Sequence, residues 1–348
     1  MQFIETLREL ESLFQAGFER NEESLDEFGK TKSTQLKAYL VESNLPINNI
    51  PCPTITDIWH KLESSNWYSI RDASSPNSLF LDTSRGRIWV LYSLMDAQKS
   101  DYLINKWVKD TRCLDKCWLS RNQLLHWENL SNGWIERGIG IKFSDGLSPE
   151  ETAGNLSFKA WYGVNRNIPG LSSLIQNAKN DFAIASTRWQ KRSEDGGSLS
   201  VEWYSNGKVT INRATNVDEV LMWVGEMADR YTESLMHATD LRNSNMGAFE
   251  IDFTQGIDLD AFSDTVSKGR GNMNLWLIEM EKSPDFRRYK GVDLHTWDRI
   301  LLDVGLDYVY LTVPGDGCIN AAPRLAVTQG EDNAGKAAIY HDGEEVFA

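Results

Sequence analysis

The passage SLSVEWYSNGKVTINRATNVDEVLMWVGEMADRYTES, residues 198–234, constrains the fold more than any other. Apolar residues alternate at Leu199, Val201 and Trp203, and again at Val209 and Ile211, which is the period of a half-buried strand. Between them stands Asn206-Gly207, the dipeptide that favours a two-residue type I′ turn and so predicts an antiparallel hairpin. The period then changes. Val220, Trp223, Val224, Met227 and Tyr231 fall on one face of a helix running over 216–241, with Asn216 as its expected cap. A hairpin followed by a helix that must bury one stripe implies an antiparallel sheet covered by helices, an α+β fold.

Other segments extend this pattern. Residues 3–16 place Phe3, Ile4, Leu7, Leu10, Leu13 and Phe14 on one helical face, and a second helix is expected around Leu36–Glu42. A third, capped by Thr56 or Asp57, would carry Ile58, Trp59 and Leu62. The expected fold thus begins with a helical amino-terminal arm, residues 1–75. A small mixed block follows at 76–147, with strands at Leu79–Leu81 and Arg87–Leu94, two helical stretches and a closing strand, GIGIKFSD. A larger α+β domain spans 148–348 and divides into two units, 148–245 and 246–348. The second unit reads as AFEIDF (strand), IDLDAFSDTVSKG (helix), MNLWLIEM (strand), DYVYLTV (strand) and a hairpin turning at Asp342-Gly343. VDLHTWDRILLDV fits either strand or helix. The strand–Asn-Gly-Lys–strand–helix passage at 199–235 resembles a half-repeat of the TATA-binding-protein fold. That likeness is carried by a hairpin and a helix alone, and no functional residue comes with it.

Composition bounds the function. The 348 residues are 41% hydrophobic and 25% charged, enough for a packed core. A net charge of −14 repels nucleic acid and anionic membranes at long range, which argues against a free-standing DNA-binding protein. No apolar run approaches the roughly 18 residues of a membrane span, so no membrane partner is expected. The terminus MQFIETLRELESLF lacks a basic and apolar leader, and four scattered cysteines make no disulfide framework, which predicts a cytoplasmic protein with reduced thiols. Cys113 and Cys117 stand four apart without a second ligand pair at finger-like spacing; His126 is alone. No phosphate-cradling, dinucleotide, nucleophile-elbow or zincin motif occurs.

Three constellations could carry chemistry. LWLIEMEKS (275–283) has the composition of a metal-dependent nuclease strand, in which Glu279 and Glu281 would hold Mg²⁺. Its Lys282 falls on the opposite face of a regular strand, so the pattern needs a bulge, with Asp252, Asp258 or Asp260 as the upstream acid. In VDLHTW and VPGDGCINAAPR, Asp293 and His295 form a carboxylate–imidazole pair suited to catalysis or metal ligation. Cys318 there is a candidate thiolate and Arg324 a candidate anion clamp, with Asp316 a further acid nearby. Finally, Arg188, Lys191 and Arg192, then Lys268 and Arg270, then Arg287, Arg288 and Lys290 form basic runs, two of them interleaved with aromatics, that suit phosphate or nucleic-acid contact. Because no catalytic set is complete, the expected function is a non-catalytic interaction or regulatory subunit of an intracellular assembly. Its partner would be another protein subunit, with nucleic acid as a further candidate and no evident cofactor. The alternative is a metal-dependent nuclease or other hydrolase using Asp293/His295 or Glu279/Glu281, with Mg²⁺ as its cofactor.

Overall fold

The computed structural model describes residues 4–23, 36–53, 58–70, 78–125, 133–144, 155–162, 169–192, 197–245, 247–269, 272–333 and 335–348. Helix α1 (Leu7–Glu23) opens the chain through a capping box: Thr6 Oγ1 accepts from the Glu9 amide at 3.3 Å while Glu9 Oε2 accepts from the Thr6 amide at 3.1 Å. Its apolar face buries Leu10, Phe14 and Phe18. There follow β1 (Lys37–Ser43), β2 (Trp59–Lys61), β3 (Trp67–Ile70), β4 (Leu79–Arg85), β5 (Ile88–Ser93), α2 (Ala97–Asp110), β6 (Leu114–Lys116), α3 (Arg121–Leu125) and β7 (Trp134–Ser144). Then come β8 (Asn155–Trp161), α4 (Pro169–Asp181), β9 (Ile184–Arg192), β10 (Ser198–Tyr204), β11 (Lys208–Ala214) and the long α5 (Val217–Asn245). These strands form one antiparallel sheet in the order β2-β3-β4-β5-β1-β11-β10-β9-β7-β8, with β6 also on β1.

A second antiparallel sheet follows, ordered β13-β14-β15-β16-β12-β17-β18. It comprises β12 (Phe249–Phe253), β13 (Leu275–Lys282), β14 (Arg287–Asp293), β15 (Arg299–Val304), β16 (Tyr308–Thr312), β17 (Ala337–His341) and β18 (Glu344–Val346), with α6 (Leu259–Ser267) and α7 (Ala321–Asp332) inserted. The α+β expectation holds, including the helical amino-terminal segment. Helix α5 touches β4, β5 and β11 of the first sheet and β17 and β18 of the second, and α7 touches β7, β12 and β17. One core therefore lies between the sheets, holding Leu40, Val90 and Trp203 with Val224, Tyr231, Ile251, Leu302 and Leu325. A second lies on the far face of the first sheet, where α2 lays Ile104 and Trp107 over Tyr39, Val41 and Leu91.

Two expected helices are strands. Leu36–Glu42 lies almost wholly in β1, which is buried at every position and pairs with β5, β6 and β11. Burial on both faces removes the period-2 pattern that would have marked it. Trp59 lies in β2, pairing with β3, while its expected caps Thr56 and Asp57 lie outside the described residues. Part of the second helical stretch in the 76–147 block is also extended, as β6, and Cys113 sits at φ +69° ahead of it, so Cys113 and Cys117 share no helix; His126 lies outside the described residues. VDLHTWDRILLDV resolves into the end of β14, a turn and β15.

The two predicted hairpin turns differ. At the second, Asp342 and Gly343 both have positive φ, 50° and 80°, as a type I′ turn requires. At the first, Asn206 keeps a negative φ and Gly207 alone is positive at 75°, with its amide closing on Tyr204 O at 3.0 Å. That is a three-residue loop ending in a left-handed glycine rather than type I′. Tertiary packing explains it: a Cβ on Gly207 would stand 2.6 Å from Cys117 O and 3.1 Å from Leu40 O. The Asn216 cap is as expected, accepting from the Asp218 amide at 2.8 Å.

Candidate functional site

The densest polar cluster is buried at the seam between the sheets. From the second sheet, β14 ends at Asp293 and the chain reverses: the Trp297 amide donates to Asp293 O at 2.7 Å, and the His295 amide to Asp293 Oδ1 at 2.9 Å. This Asx-type turn points the chain at the first sheet, where the Cys113 amide donates to His295 O at 3.0 Å. From the segment before α7 come Cys318 and Asn320, and from its first turn Arg324. From the first sheet come Glu42 on β1 and Asp115 on β6, with Arg87 between β4 and β5.

Two ionic groups result. In the first, fully buried Arg324 bridges Asp115 and Asp293, with Nη2 at 2.6 Å from Asp293 Oδ1 and Nε donating to Met273 O at 2.8 Å. Burial raises the Asp115 carboxyl, but the Arg324 charge and then His295 outweigh it and hold the group below its usual range. Arg324 is likewise held protonated by the two carboxylates against the effect of burial. Asn320 extends this group, donating to Asp115 Oδ2 and Lys116 O at 2.9 Å each and accepting from the Tyr231 hydroxyl. In the second group, Arg87 pairs with Glu42 and its Nη2 lies 3.1 Å from Cys318 Sγ, while that sulfur lies 3.3 and 3.4 Å from the two Glu42 oxygens. One ligand atom each from Glu42, His295 and Cys318 falls within 4.8 Å of the others. Asn44 Nδ2 lies 3.5 Å from His295 Nε2, whereas buried Nδ1 has no hydrogen-bond partner among the described residues.

The structure thus brings Asp293, His295, Cys318 and Arg324 together. Asp316 stays exposed. Two roles change. Arg324 is a buried counter-ion committed to protein groups, and so has no face for a solvent-borne anion. Burial first, and then Glu42, pushes the Cys318 thiol well up, against the thiolate a nucleophile would need. Glu42, Arg87 and Asp115 had no place in the sequence-derived site. A signal existed, since each acid interrupts an apolar run (YLVES, CLDKCW) where a solvated charge is out of place.

The nuclease-like strand is β13, an edge strand with the bulge that its sequence pattern required: Glu279 pairs with Tyr289, Glu281 with Arg288 and Lys282 with Arg287. The bulge gives Glu279 and Lys282 a common face but sends Glu281 to the other, where it meets Arg288 at 3.1 Å. Glu279 and Glu281 therefore do not converge on one ion. Between Glu279 and Asp260 stands the buried Arg287 guanidinium, at 3.5 and 2.8 Å, and Lys282 adds a contact to Asp260 at 3.0 Å. The space for a bridging Mg²⁺ holds an arginine.

The basic runs are dispersed and mostly paired. Arg188 lies over Trp161 at 5.1 Å, Lys191 reaches Glu219 at 3.6 Å, Lys268 pairs with Asp264, and Arg288 with Asp303 at 2.8 Å. Arg192 and Lys290 are exposed, while Arg270 lies outside the described residues.

The outer face of the second sheet is different in kind. Trp276, Ile278 and Met280 on β13 are 46%, 51% and 53% exposed, and Leu301 and Tyr310 on β15 and β16 are also exposed. No helix among the described residues is long and apolar enough to cross a membrane.

A fold of two antiparallel sheets around α5, closed by a buried ionic seam, is the framework in which family membership can be placed. The chain belongs to the family of MJECL33-like proteins, whose model matches residues 1–330. It is 23% identical over 339 residues to "Uncharacterized protein MJECL33" of Methanocaldococcus jannaschii, an alignment covering 83% of this chain and 82% of that protein.

Proposed function

We propose that the protein is a non-catalytic interaction subunit, drawn into a protein assembly through the open face and free edge of the second sheet. The observation that carries this is the exposed row Trp276, Ile278 and Met280 on a strand that ends its sheet. An edge strand offers unpaired backbone groups, and an apolar row beside them is the composition proteins otherwise avoid on a solvated edge. On this face Arg288 is matched between Glu281 and Asp303, while Lys290 stands exposed between Ile278 and Leu301, so the surface is an apolar row with one cation beside it. The occupant it fits is a second copy of the chain. Antiparallel pairing of two β13 strands about Ile278 sets Trp276 against Met280 and Glu279 against Leu277, so no like charges meet. Pairing of the basic runs with local carboxylates favours a protein over a nucleic-acid partner.

Sedimentation velocity tests this. The native protein should run at twice the 39.6 kDa chain mass at micromolar concentration, and Trp276→Glu with Ile278→Glu should return it to one chain mass. A native protein that stays at one chain mass throughout overturns the proposal. A hydrolase reading has one observation in its favour, the convergence of Asp293, His295 and Cys318. It is the weaker because Arg324 occupies Asp293 and burial keeps the Cys318 thiol protonated.

A further inference from the structure

The Glu42–His295–Cys318 group contains a mismatch that the ionic seam beside it does not. A buried carboxylate, an imidazole nitrogen and a sulfur converge from both sheets, yet Arg87, which contacts Glu42 and Cys318, leaves His295 unmatched. We propose that Glu42, His295 and Cys318 are the protein ligands of a transition-metal site of the zinc class, in which Arg87 is a displaceable counter-cation.

Geometry and ligand chemistry agree. A tetrahedral zinc with Zn–S near 2.3 Å and Zn–O near 2.0 Å sets sulfur and oxygen about 3.5 Å apart. Cys318 Sγ lies 3.3 and 3.4 Å from the Glu42 oxygens. The buried His295 ring has the unpartnered Nδ1; with Nδ1 on the metal the Nε2–H must donate, and the Asn44 side-chain amide 3.5 Å away would accept it through Oδ1 with the amide turned over. Sulfur and imidazole select zinc, cobalt or copper over magnesium, which sets this group apart from the all-oxygen pair at Glu279 and Asp260. There the intervening Arg287 is buried and held by Asp260 and two backbone carbonyls. Arg87, by contrast, has a side chain 35% exposed and sits at the rim, where its departure would open both a way in and a fourth position. Binding replaces the Cys318 S–H bond with a metal–sulfur bond, the proton passing to solvent. With ligands on β1 and on the segments flanking β15 and β16, the ion would clamp the two sheets at their seam.

Cobalt(II) is the probe, added to the reduced full-length protein at equimolar ratio and followed by the thiolate-to-cobalt charge-transfer absorption. The native protein should show the band, and Cys318→Ser should lose it while Cys113→Ser keeps it. Arg87→Ala should bind roughly tenfold more tightly, since the competing guanidinium is gone. Because Cys318→Ser puts a hydroxyl in place of a buried thiol, Arg87→Ala serves as the second test, with zinc raising its melting temperature more than that of the native protein. No thiolate band in either the native protein or Arg87→Ala overturns the proposal. So does a band that survives Cys318→Ser, which would place the metal on another cysteine.

Discussion

In the first sheet, β1 sends Ala38 and Leu40 into the core between the sheets and Tyr39 and Val41 into the core under α2. In the second, β13 sends Leu275 and Leu277 inward but leaves Trp276, Ile278 and Met280 in solvent. Both strands are rich in apolar residues, and the difference lies in what covers them. Helices α1 and α5 on one side and α2 on the other enclose the middle of the first sheet; in the second sheet, among the described residues, α6 and the core back β13 on one face only. An apolar residue on an uncovered face is an unfinished contact. Where the fold buries charge instead, as at Arg324, it supplies partners from both sheets.

The largest effect should come from breaking the seam. Arg324→Met leaves Asp115 and Asp293 buried without a counter-charge and should cost about 3–5 kcal/mol in urea unfolding. A loss under about 1 kcal/mol would mean that the seam does not hold the sheets together. The acid limb carries the same signature. Asp115 is held below its ordinary 3.8, so its contribution is present above that value and is lost as pH falls through the folded value. Native stability should therefore decline below about pH 4, measured by urea midpoints across the acid range.

In the second sheet β16 was legible in the sequence because it alternates, with Val309 and Leu311 inward and Tyr310 outward, whereas β15 stayed open between strand and helix because outward Leu301 completes the apolar run Ile300–Leu302. The long helix was legible for the same reason at the other period. β1 was not, since a strand covered on both sides carries no alternation, and KAYLVES satisfies a helical face equally well. The site was half legible. Asp293, His295 and Cys318 stood out by residue type, but Glu42 and Asp115 reach them across more than 170 positions of chain, through contacts no local pattern encodes.

A smaller effect should come from Lys37, buried at the start of β1 with Nζ donating to Met95 O at 2.6 Å. Burial, and then the Lys208 charge, lower it to about 8 from 10.5. A depressed base penalises the charged folded form, so native stability should rise with pH above about 8, by at most about 1.4 kcal/mol per unit. Lys37→Met should remove that rise, read as the difference between the two pH profiles between about 8 and 10. Parallel profiles would mean that the covered face holds the charge without cost.

The smallest effect on stability should come from Trp276→Glu. On an open face it should change the unfolding free energy of the separated chain by no more than about 0.5 kcal/mol. A large loss would place Trp276 in the core and remove the contrast between the sheets.

Hydrogen exchange of the β13 amides, residues 275–282, tests the interaction surface most directly. In the native protein, exchange there should slow as concentration rises, while β2, an edge strand of the first sheet, stays unchanged, and Trp276→Glu should abolish the dependence. Exchange at 275–282 that is independent of concentration, and equal in the two proteins, would contradict it.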